Sequence, residues 1–417
     1  MMKAALGIWI LWAVICTGRG HYYFGYARVN DHAGQESAAD SSHNSVSLVT
    51  AANKEFAFRL YRKLAAHADS QGKNIFFSPV SVSVALAALS VGAREETHRQ
   101  LFSGLGFNNT LLTQSDVDQV FKILLQRANK TSNEDLSEGT AVFVDNRFKP
   151  RPEFLETLKQ SYFAEGFNFD FTKTTDSANT INKYVEEKTN GKIDKLVDSL
   201  DPSTVMYLIS YIYFKGKWAT PFDPRLTWPD IFMVDDYTKV PVQMMNMEKR
   251  FYAYYDPMIQ TSVLHLPLDS CYSMLLMLPN NMATLENVIS PDFVSKWLRL
   301  MECRTIYVSL PKFSIKTLYS LKDVLTEMGM TDMFGDRADL SGIAEGQNLA
   351  VSEVVHQAAL DVDEVGVTAA AATGIGIMVT SSFYTPILQF NHPFMVIITE
   401  SNTKNILFMG KIINPNV

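Results

Sequence analysis

Residues 364–373 read Glu-Val-Gly-Val-Thr-Ala-Ala-Ala-Ala-Thr, and neither proline nor a charged residue occurs between Glu364 and Thr385. Four consecutive alanines favour a helix, whereas the neighbouring glycines and β-branched residues do not. A central strand needs a backbone donor at every position, which proline would remove, and small side chains can pass between packed strands. The stretch therefore fits a strand that enters the middle of a sheet, although a small-residue helix or a flexible loop would also explain it.

The chain around this stretch has the composition of a globular protein with a large core. Of its 417 residues 47% are hydrophobic, and its net charge is −7. Because no strongly basic field is present, nucleic acid is not expected as a partner. Hydrophobic periodicity predicts a mixed order of elements without internal repeats, hence one α+β domain. The predicted helices are 51–66, 81–91, 95–105, 179–189 and 321–328, and the predicted strands are 74–79, 140–144, 205–214, 274–278, 306–313 and 395–399.

The first twenty residues have the pattern of a secretory signal peptide. Lys3 precedes an apolar run over 4–16, and small residues follow at Gly18 and Gly20. The run is short for a bilayer span, so a retained membrane anchor is the less favoured alternative. Residues 21–48 are mostly small and polar, which predicts a flexible tail before a folded domain over 49–417. We therefore expect a secreted, extracellular protein with no membrane partner.

Secretion bears on the cysteines and on two sequence triplets. Cys16 would leave with the signal peptide, so Cys271 and Cys303 would remain. They could form one bridge or stay as separate buried thiols, and we favour separate thiols because two cysteines are not a disulfide framework. The triplets that begin at Asn108 and Asn129 match the N-glycosylation pattern. Both are candidate glycosylation sites.

Sequence patterns of catalytic machinery are absent. The chain has no Gly-x-Ser-x-Gly elbow, no His-Glu-x-x-His pair and no phosphate-binding glycine-rich loop. Its eight histidines show no metal-ligand spacing with cysteine. Acidic residues such as Asp361, Asp363 and Glu364 are interpreted as a solvated face. We therefore expect no enzyme, no metal and no cofactor.

A series of motifs, in the right order, resembles those of the serpin family. The motifs are Asn-Ile-Phe-Phe-Ser-Pro-Val-Ser at 74–81, Thr-Asn-Gly-Lys-Ile at 189–193, Phe-Lys-Gly-Lys-Trp at 214–218, the stretch at 364–373, Phe-Asn-His-Pro-Phe at 390–394 and Phe-Met-Gly-Lys-Ile at 408–412. The likeness covers about 49–417 and is nearest to the antitrypsin group of plasma serpins. It implies a serpin fold, with a large central mixed sheet, flanking helices and an exposed reactive loop at about 364–386.

The resemblance implies a suicide substrate for a serine protease. The protease would form a covalent acyl-enzyme with the loop, and the N-terminal half of the cut loop would insert into the large sheet. The protein would then act as a monomer in blood plasma. The implied hinge residues are Glu364, Gly366, Val367, Thr368, Ala369, Ala370, Ala371 and Ala372.

The resemblance also implies a polar cluster beneath the strands that open. The implied members are Ser78, Ser81, Asn182 and His356, while Trp218 would lie where the loop enters the sheet. A satisfied core histidine and a core tryptophan would explain His356 and Trp218 nearly as well.

The position of the cleaved bond depends on how the loop is counted. Counting from the hinge gives Thr380–Ser381, and counting back from Phe390 gives Ser382–Phe383. Met378, followed by Val379, is a further candidate. Because the loop contains no Lys, Arg, Asp or Glu after Glu364, we expect a protease with an apolar, elastase- or chymotrypsin-like pocket.

Two alternative interpretations of the sequence concern regulation by heparin and the transport of a small ligand. Lys122, Arg127 and Lys130 are close together in the sequence, but a solvated face is favoured over a heparin site, since a glycan at Asn129 would crowd them. A non-inhibitory serpin that carries a small hydrophobic hormone is the main alternative function, since Val367 and the glycines at 374 and 376 depart from the commonest hinge pattern.

Overall fold

The computed structural model describes residues 38–131, 136–268, 271–345, 349–365, 385–401 and 403–417. Within these ranges the helices are α1 (Ala38–Ala66), α2 (Pro79–Ser90), α3 (Glu95–Leu105), α4 (Gln114–Thr131), α5 (Pro152–Tyr162), α6 (Thr174–Lys188), α7 (Met282–Val288), α8 (Pro291–Leu300) and α9 (Lys322–Glu327). The strands are β1 (Ile75–Phe77), β2 (Leu136–Asp145), β3 (Glu165–Phe169), β4 (Met206–Lys215), β5 (Thr227–Met233), β6 (Lys239–Asp256), β7 (Thr261–Pro267), β8 (Tyr272–Pro279), β9 (Glu302–Pro311), β10 (Phe313–Ser320), β11 (Glu353–Val362), β12 (Ile387–Gln389), β13 (Phe394–Glu400) and β14 (Ile406–Ile412).

These strands form two sheets. One has the order β10-β11-β4-β2-β3, and the other runs β1-β14-β13-β8-β7-β6-β9-β12 with β5 paired to β6. In the first sheet β10–β11 and β2–β4 are antiparallel, whereas β11–β4 and β2–β3 are parallel. Strands β4 and β11, which are far apart in the sequence, are therefore neighbours at the centre of a mixed sheet.

The two sheets stack against each other at one end of the molecule. Ile212 and Leu360 of the first sheet share an apolar cluster with Leu276 and Val396 of the second. The ring of Phe408 on β14 packs against that of Phe214 on β4 at 5.8 Å between centroids. Burial of a large apolar side chain stabilises the fold by about 1.5–3 kcal/mol, so this layer holds the sheets together.

Helix α2 lies behind the first sheet and is buried on nearly all sides. Its start follows from local chemistry, because Ser78 caps the helix by accepting a hydrogen bond from the Ser81 backbone N–H, and Pro79 occupies the first helical position. Small and apolar residues then follow along every face. The predicted buried helix over 81–91 is confirmed.

Helix α6 covers the opposite face of the same sheet. Ile181 and Val185 on α6 pack with Ile209 on β4 and Val355 on β11. The sheet is thus enclosed between α6 in front and α2 behind. Any strand that enters it must fit between these two layers.

Two predicted boundaries differ from the structure. Helix α1 begins at Ala38, within the stretch predicted as a tail, because Val46, Leu48 and Val49 pack against the core and extend the helix. The predicted strand over 306–313 is two strands, since β9 ends at Pro311 and β10 begins at Phe313 in the other sheet. The other predicted elements are present with shifts at their ends.

The close approach of β14 to β1 at Gly410 can be tested by substitution. A Cβ atom at this position would lie 2.2 Å from the Ile75 carbonyl oxygen of β1, so Gly410→Ala should destabilise the protein by about 1–3 kcal/mol. Gly335→Ala is the control, because nothing lies within 4 Å of the added Cβ and its effect should stay within about 0.5 kcal/mol. Urea unfolding midpoints of the two variants measure the difference, and equal midpoints would contradict the packing argument.

Candidate functional site

The centre of the first sheet is a direct pairing of β11 with β4. Nine residue pairs form this parallel ladder, from Glu353 opposite Tyr207 to Asp361 opposite Lys215. On their outer sides both strands have antiparallel partners. A further strand that ran antiparallel to both β4 and β11 would fit between them, and antiparallel pairing is slightly the more stable per residue.

The chain leaves β11 through residues that are fixed by backbone hydrogen bonds. The Trp218 backbone N–H donates to the Val365 carbonyl and the Phe222 N–H donates to the Glu364 carbonyl, each at 3.1 Å. The Trp218 indole Nε1–H donates to the Asp363 carbonyl at 2.6 Å. Trp218 therefore lies at the end of the sheet where the following segment begins.

Two ion pairs hold Asp363 and Glu364. Lys215 Nζ lies 3.0 Å from Asp363 Oδ2, and Lys312 Nζ lies 2.9 Å from Glu364 Oε2. Partial burial opposes ionisation of Glu364, but hydrogen bonds, of which that from Lys312 is the strongest, and the charge of Lys312 together outweigh it and hold the pKa of this carboxyl below its usual value. Glu364 is thus an anchored residue and not part of a solvated acidic face.

The segment after Val365 contains most of the predicted hinge and all candidate bonds. Gly366, Val367, Thr368 and Ala369–Ala372 lie outside the described residues, as do Met378, Val379, Thr380, Ser381, Ser382 and Phe383. The chain is described again from Thr385, whose hydroxyl donates to Glu248 at 3.2 Å. The N–H of Tyr307 donates to the Pro386 carbonyl, and β12 continues alongside β9.

A polar cluster lies between α2 and the β4–β11 pair. The Ser78 backbone N–H donates to His356 Nε2 at 2.9 Å, and the Ser78 hydroxyl donates to Ser81 Oγ at 3.0 Å. On the other side of the imidazole, His356 Nδ1 lies 3.1 Å from Ser210 Oγ. The structure therefore brings Ser78, Ser81 and His356 together, and it connects α2 to both central strands.

The contacts of His356 define its tautomer. Because Nε2 accepts a hydrogen bond from the Ser78 N–H, the neutral ring carries its own proton on Nδ1, and this N–H donates a hydrogen bond to Ser210. The side chain is completely buried, and burial lowers the pKa of His356 to about 3. Protonation of Nε2 would remove the acceptor for the Ser78 N–H and place a charge in the core.

The structure corrects the predicted position of Asn182. Its side-chain oxygen accepts from the backbone N–H groups of Leu196 and Val197, each at 2.8 Å, and its Nδ2 donates to the Val197 carbonyl. Asn182 therefore fastens the segment after α6 on the front of the sheet, away from His356. The residue that sequence reasoning missed is Ser210, a polar residue inside the apolar run of β4.

The predicted glycosylation sites lie on or next to helices. Asn108 is exposed after α3, and its side-chain oxygen accepts from the hydroxyl of Thr110 at 2.7 Å. Asn129 lies in the last turn of α4. Both remain predictions.

The cysteines form no disulfide with each other, as favoured from the sequence. Cys303 on β9 is exposed, so it is not the buried thiol that was expected. Within the part of the chain that the structure describes, no group of three or more histidine, cysteine or acidic side chains could hold a metal ion.

Comparison with known proteins agrees with this arrangement of sheets. A family model described as "Serpin (serine protease inhibitor)" matches residues 51–415. The chain belongs to the serpin family. It is 41% identical over 366 residues to the alpha-1-antitrypsin-like protein GS55-MS of Ictidomys tridecemlineatus, covering 87% of this chain and 88% of that protein. The resemblance to antitrypsin-like serpins and the α+β serpin fold are thereby confirmed.

Two further relatives bear on function. The hibernation-specific plasma protein HP-55 of Tamias sibiricus is 38% identical over 412 residues, which is 98% of each chain. The crystal structure of human thyroxine-binding globulin complexed with its hormone is similar with a TM-score of 0.83 and 36% identity, covering 89% of this chain and all of that one. The family thus includes antitrypsin-like proteins and a hormone carrier.

His356 gives the protein a pH-dependent stability that can be measured. The pKa of about 3 in the native state lies below the value of about 6.5 for an exposed histidine. The unfolded chain therefore binds more protons between these values. The contribution of His356 to stability is present above about pH 6.5 and is lost on acidification, by up to about 1.4 kcal/mol per pH unit.

His356→Gln should reduce the loss of stability on acidification. Glutamine can accept a hydrogen bond from Ser78 and donate one to Ser210 without titrating. Urea midpoints at several pH values between neutrality and about pH 5 give the slope. His67→Gln is the control, since His67 is partly exposed near the end of α1 and should retain the wild-type slope. Identical slopes for wild type and His356→Gln would refute the role given to this histidine.

Proposed function

We propose that the chain is a secreted inhibitor of serine proteases that acts as a suicide substrate by loop insertion. The observation that carries the proposal is the parallel β4–β11 pairing, whose end continues directly into residues 366–384. The N-terminal segment with signal-peptide character and the similarity to a protein named as a plasma protein support secretion into plasma. Membership in a family of protease inhibitors supports a binding role and not catalysis.

The two ends of the loop are attached to different sheets. Val365 is held beside β11 of the five-stranded sheet, and Thr385 and Pro386 are held beside β9 of the other sheet. If the chain is cut between them, the N-terminal part can move without pulling on β12. This geometry favours insertion of one fragment while the other stays in place.

The loop is long enough for insertion along the whole ladder. Residues 366–380 can extend over about 50 Å at roughly 3.3 Å per residue. The nine residue pairs of β4 and β11 need a strand of about 30 Å at the same rise. The small residues Ala369–Ala372 would then lie between α6 in front and α2 behind.

The chemistry of the trap is that of an ordinary acyl-enzyme. The protease serine oxygen attacks the carbonyl carbon of Thr380, the peptide bond to Ser381 breaks, and Ser381 leaves with a new amino terminus. Met378, Val379 and Ser382–Phe383 are the alternative positions. Insertion of the fragment ending at the ester carries the protease away before water releases it. No metal or cofactor takes part.

The loop sequence limits the class of protease. Residues 366–386 contain no charged side chain, so a pocket built for Lys or Arg would have no partner. We infer an elastase- or chymotrypsin-like target that meets a monomer of this protein. A heparin-dependent mechanism is not part of the proposal.

A hormone carrier is the second candidate function, because human thyroxine-binding globulin has a similar structure. A carrier would be cut by elastase without retaining it and would bind thyroxine or a steroid saturably. An inhibitor would form a covalent band with elastase or chymotrypsin on a denaturing gel. The denaturing gel detects the covalent complex that an inhibitor forms, and a titration with thyroxine or a steroid detects the binding expected of a carrier.

The hinge variants Val367→Arg and Ala371→Pro test insertion directly. Arginine would place a long charged side chain in the sheet, and proline would remove a ladder donor. Both variants should be cleaved by the protease and should lose at least about tenfold of the detergent-resistant complex, a loss equivalent to about 1.4 kcal/mol. The matched controls Val367→Thr and Ala371→Ser keep the size and the backbone donor and should still form it. Complex formation by Val367→Arg or Ala371→Pro at the wild-type level would rule out insertion.

A further inference from the structure

Helices α4 and α5 pack side by side and leave an open groove of about 610 Å³ between them. Lys122 lines the groove from α4, and Leu155 and Lys159 line it from α5, with Phe163 just after that helix. This volume lies within the range of roughly 300–1,000 Å³ that is typical of small-molecule pockets. The groove is separate from the β4–β11 pair and from the loop.

Phe163 contributes an apolar side chain to the groove, and its own backbone has an unusual conformation. It closes α5 with φ of 51°, in the left-handed region, and its N–H donates to the Leu158 carbonyl. The residue is 44% exposed. A bulky residue rarely adopts this conformation, and here it keeps an aromatic ring at the surface beside the partly buried Leu155.

Behind Phe163 lies a second, smaller cavity of about 40 Å³ that it also borders. Its other walls include Ser81 of the His356 cluster, Glu138 and Thr140 on β2, and Tyr162. The cavity is about large enough for one water molecule. Phe163 therefore separates the outer groove from the inner face of a strand that pairs with β4.

The charges around the groove favour an anionic head group. Lys122 and Lys159 line the groove from the two helices, and neither pairs with a carboxylate in the part of the chain that the structure describes. The one acidic lining residue, Glu156, accepts a hydrogen bond from Gln160 at 2.7 Å, and with two lysines and one glutamate the lining keeps a net positive charge. A carboxylate between the lysines would place an acyl chain on Leu155 and Phe163.

We propose that the α4–α5 groove binds a small amphiphile with a carboxylate head and an acyl tail, of the class of free medium-chain fatty acids. The lysines bind the head, and Leu155 and Phe163 bind the tail. Phe163 also borders the cavity next to β2, so this side chain lies between the ligand and a strand that pairs with β4. The binding site does not depend on the proposed inhibitory function.

The test uses the full-length secreted chain and decanoate below its micellar concentration, with binding followed by calorimetry at low and high salt. Wild type should bind decanoate, and its affinity should fall as salt screens the lysines. Lys122→Gln with Lys159→Gln should weaken binding at least tenfold and abolish the salt dependence. Phe163→Asn, which tolerates the left-handed backbone, should weaken binding but keep the salt dependence.

Lys73→Gln is the matched control, because Lys73 lines a different groove of about 610 Å³ beside β10. It should bind decanoate as wild type does. No binding to wild type, unchanged binding to the double lysine variant, or equal loss in Lys73→Gln would each overturn the proposal. Thermal midpoints verify that every variant is folded, and protease inhibition is not used as a readout.

Discussion

The direct hydrogen bonding of β4 to β11 is the constraint on which the rest of the structure depends. These two strands are parallel to each other, whereas each has an antiparallel partner on its other side. A segment that follows β11 and turns back along it would be antiparallel to both strands. In the proposed mechanism one parallel ladder is exchanged for two antiparallel ladders, so insertion adds backbone hydrogen bonds without requiring a new core.

The central pairing is secured from behind by a neutral histidine. His356 connects the N-terminus of α2 to β4 through Ser78 and Ser210, and buried networks of this kind hold strongly only while every member is satisfied. The next residue has the opposite character, because the side-chain oxygen of Gln357 is buried without a hydrogen-bond partner among the described residues. Such an orphan costs about 1–3 kcal/mol. One strand thus carries both a fully bonded side chain and an unsatisfied one.

The sequence carries enough information for the local parts of this arrangement but not for its long-range contacts. The Ser-Pro start of α2 and the apolar runs of β4 and β13 follow from capping and periodicity. Ser210 could not be assigned in this way, because its contact with His356 spans 146 residues and depends on the register of two strands. Asn182 has the same polarity and lies near the sheet, yet its partners are the backbone of its own following segment. Likewise, Lys312 and Trp218 meet Glu364 and Asp363 only through the fold.

The contacts at the end of β11 and the β4–β11 pairing affect different aspects of the proposed conformational change. The ion pairs of Asp363 and Glu364 involve partly exposed lysines and stabilise by about 0–1 kcal/mol each, and the backbone hydrogen bonds from Trp218 and Phe222 contribute about 1 kcal/mol each. A few kcal/mol is small beside the gain of a whole strand, but it is enough to slow the first step of insertion by orders of magnitude. In the proposed mechanism the ladder would therefore set the direction of the conformational change, and the contacts around Glu364 would set its rate. Because the lysines are accessible to salt while the hydrogen bonds of Trp218 are buried, only part of that barrier depends on ionic strength.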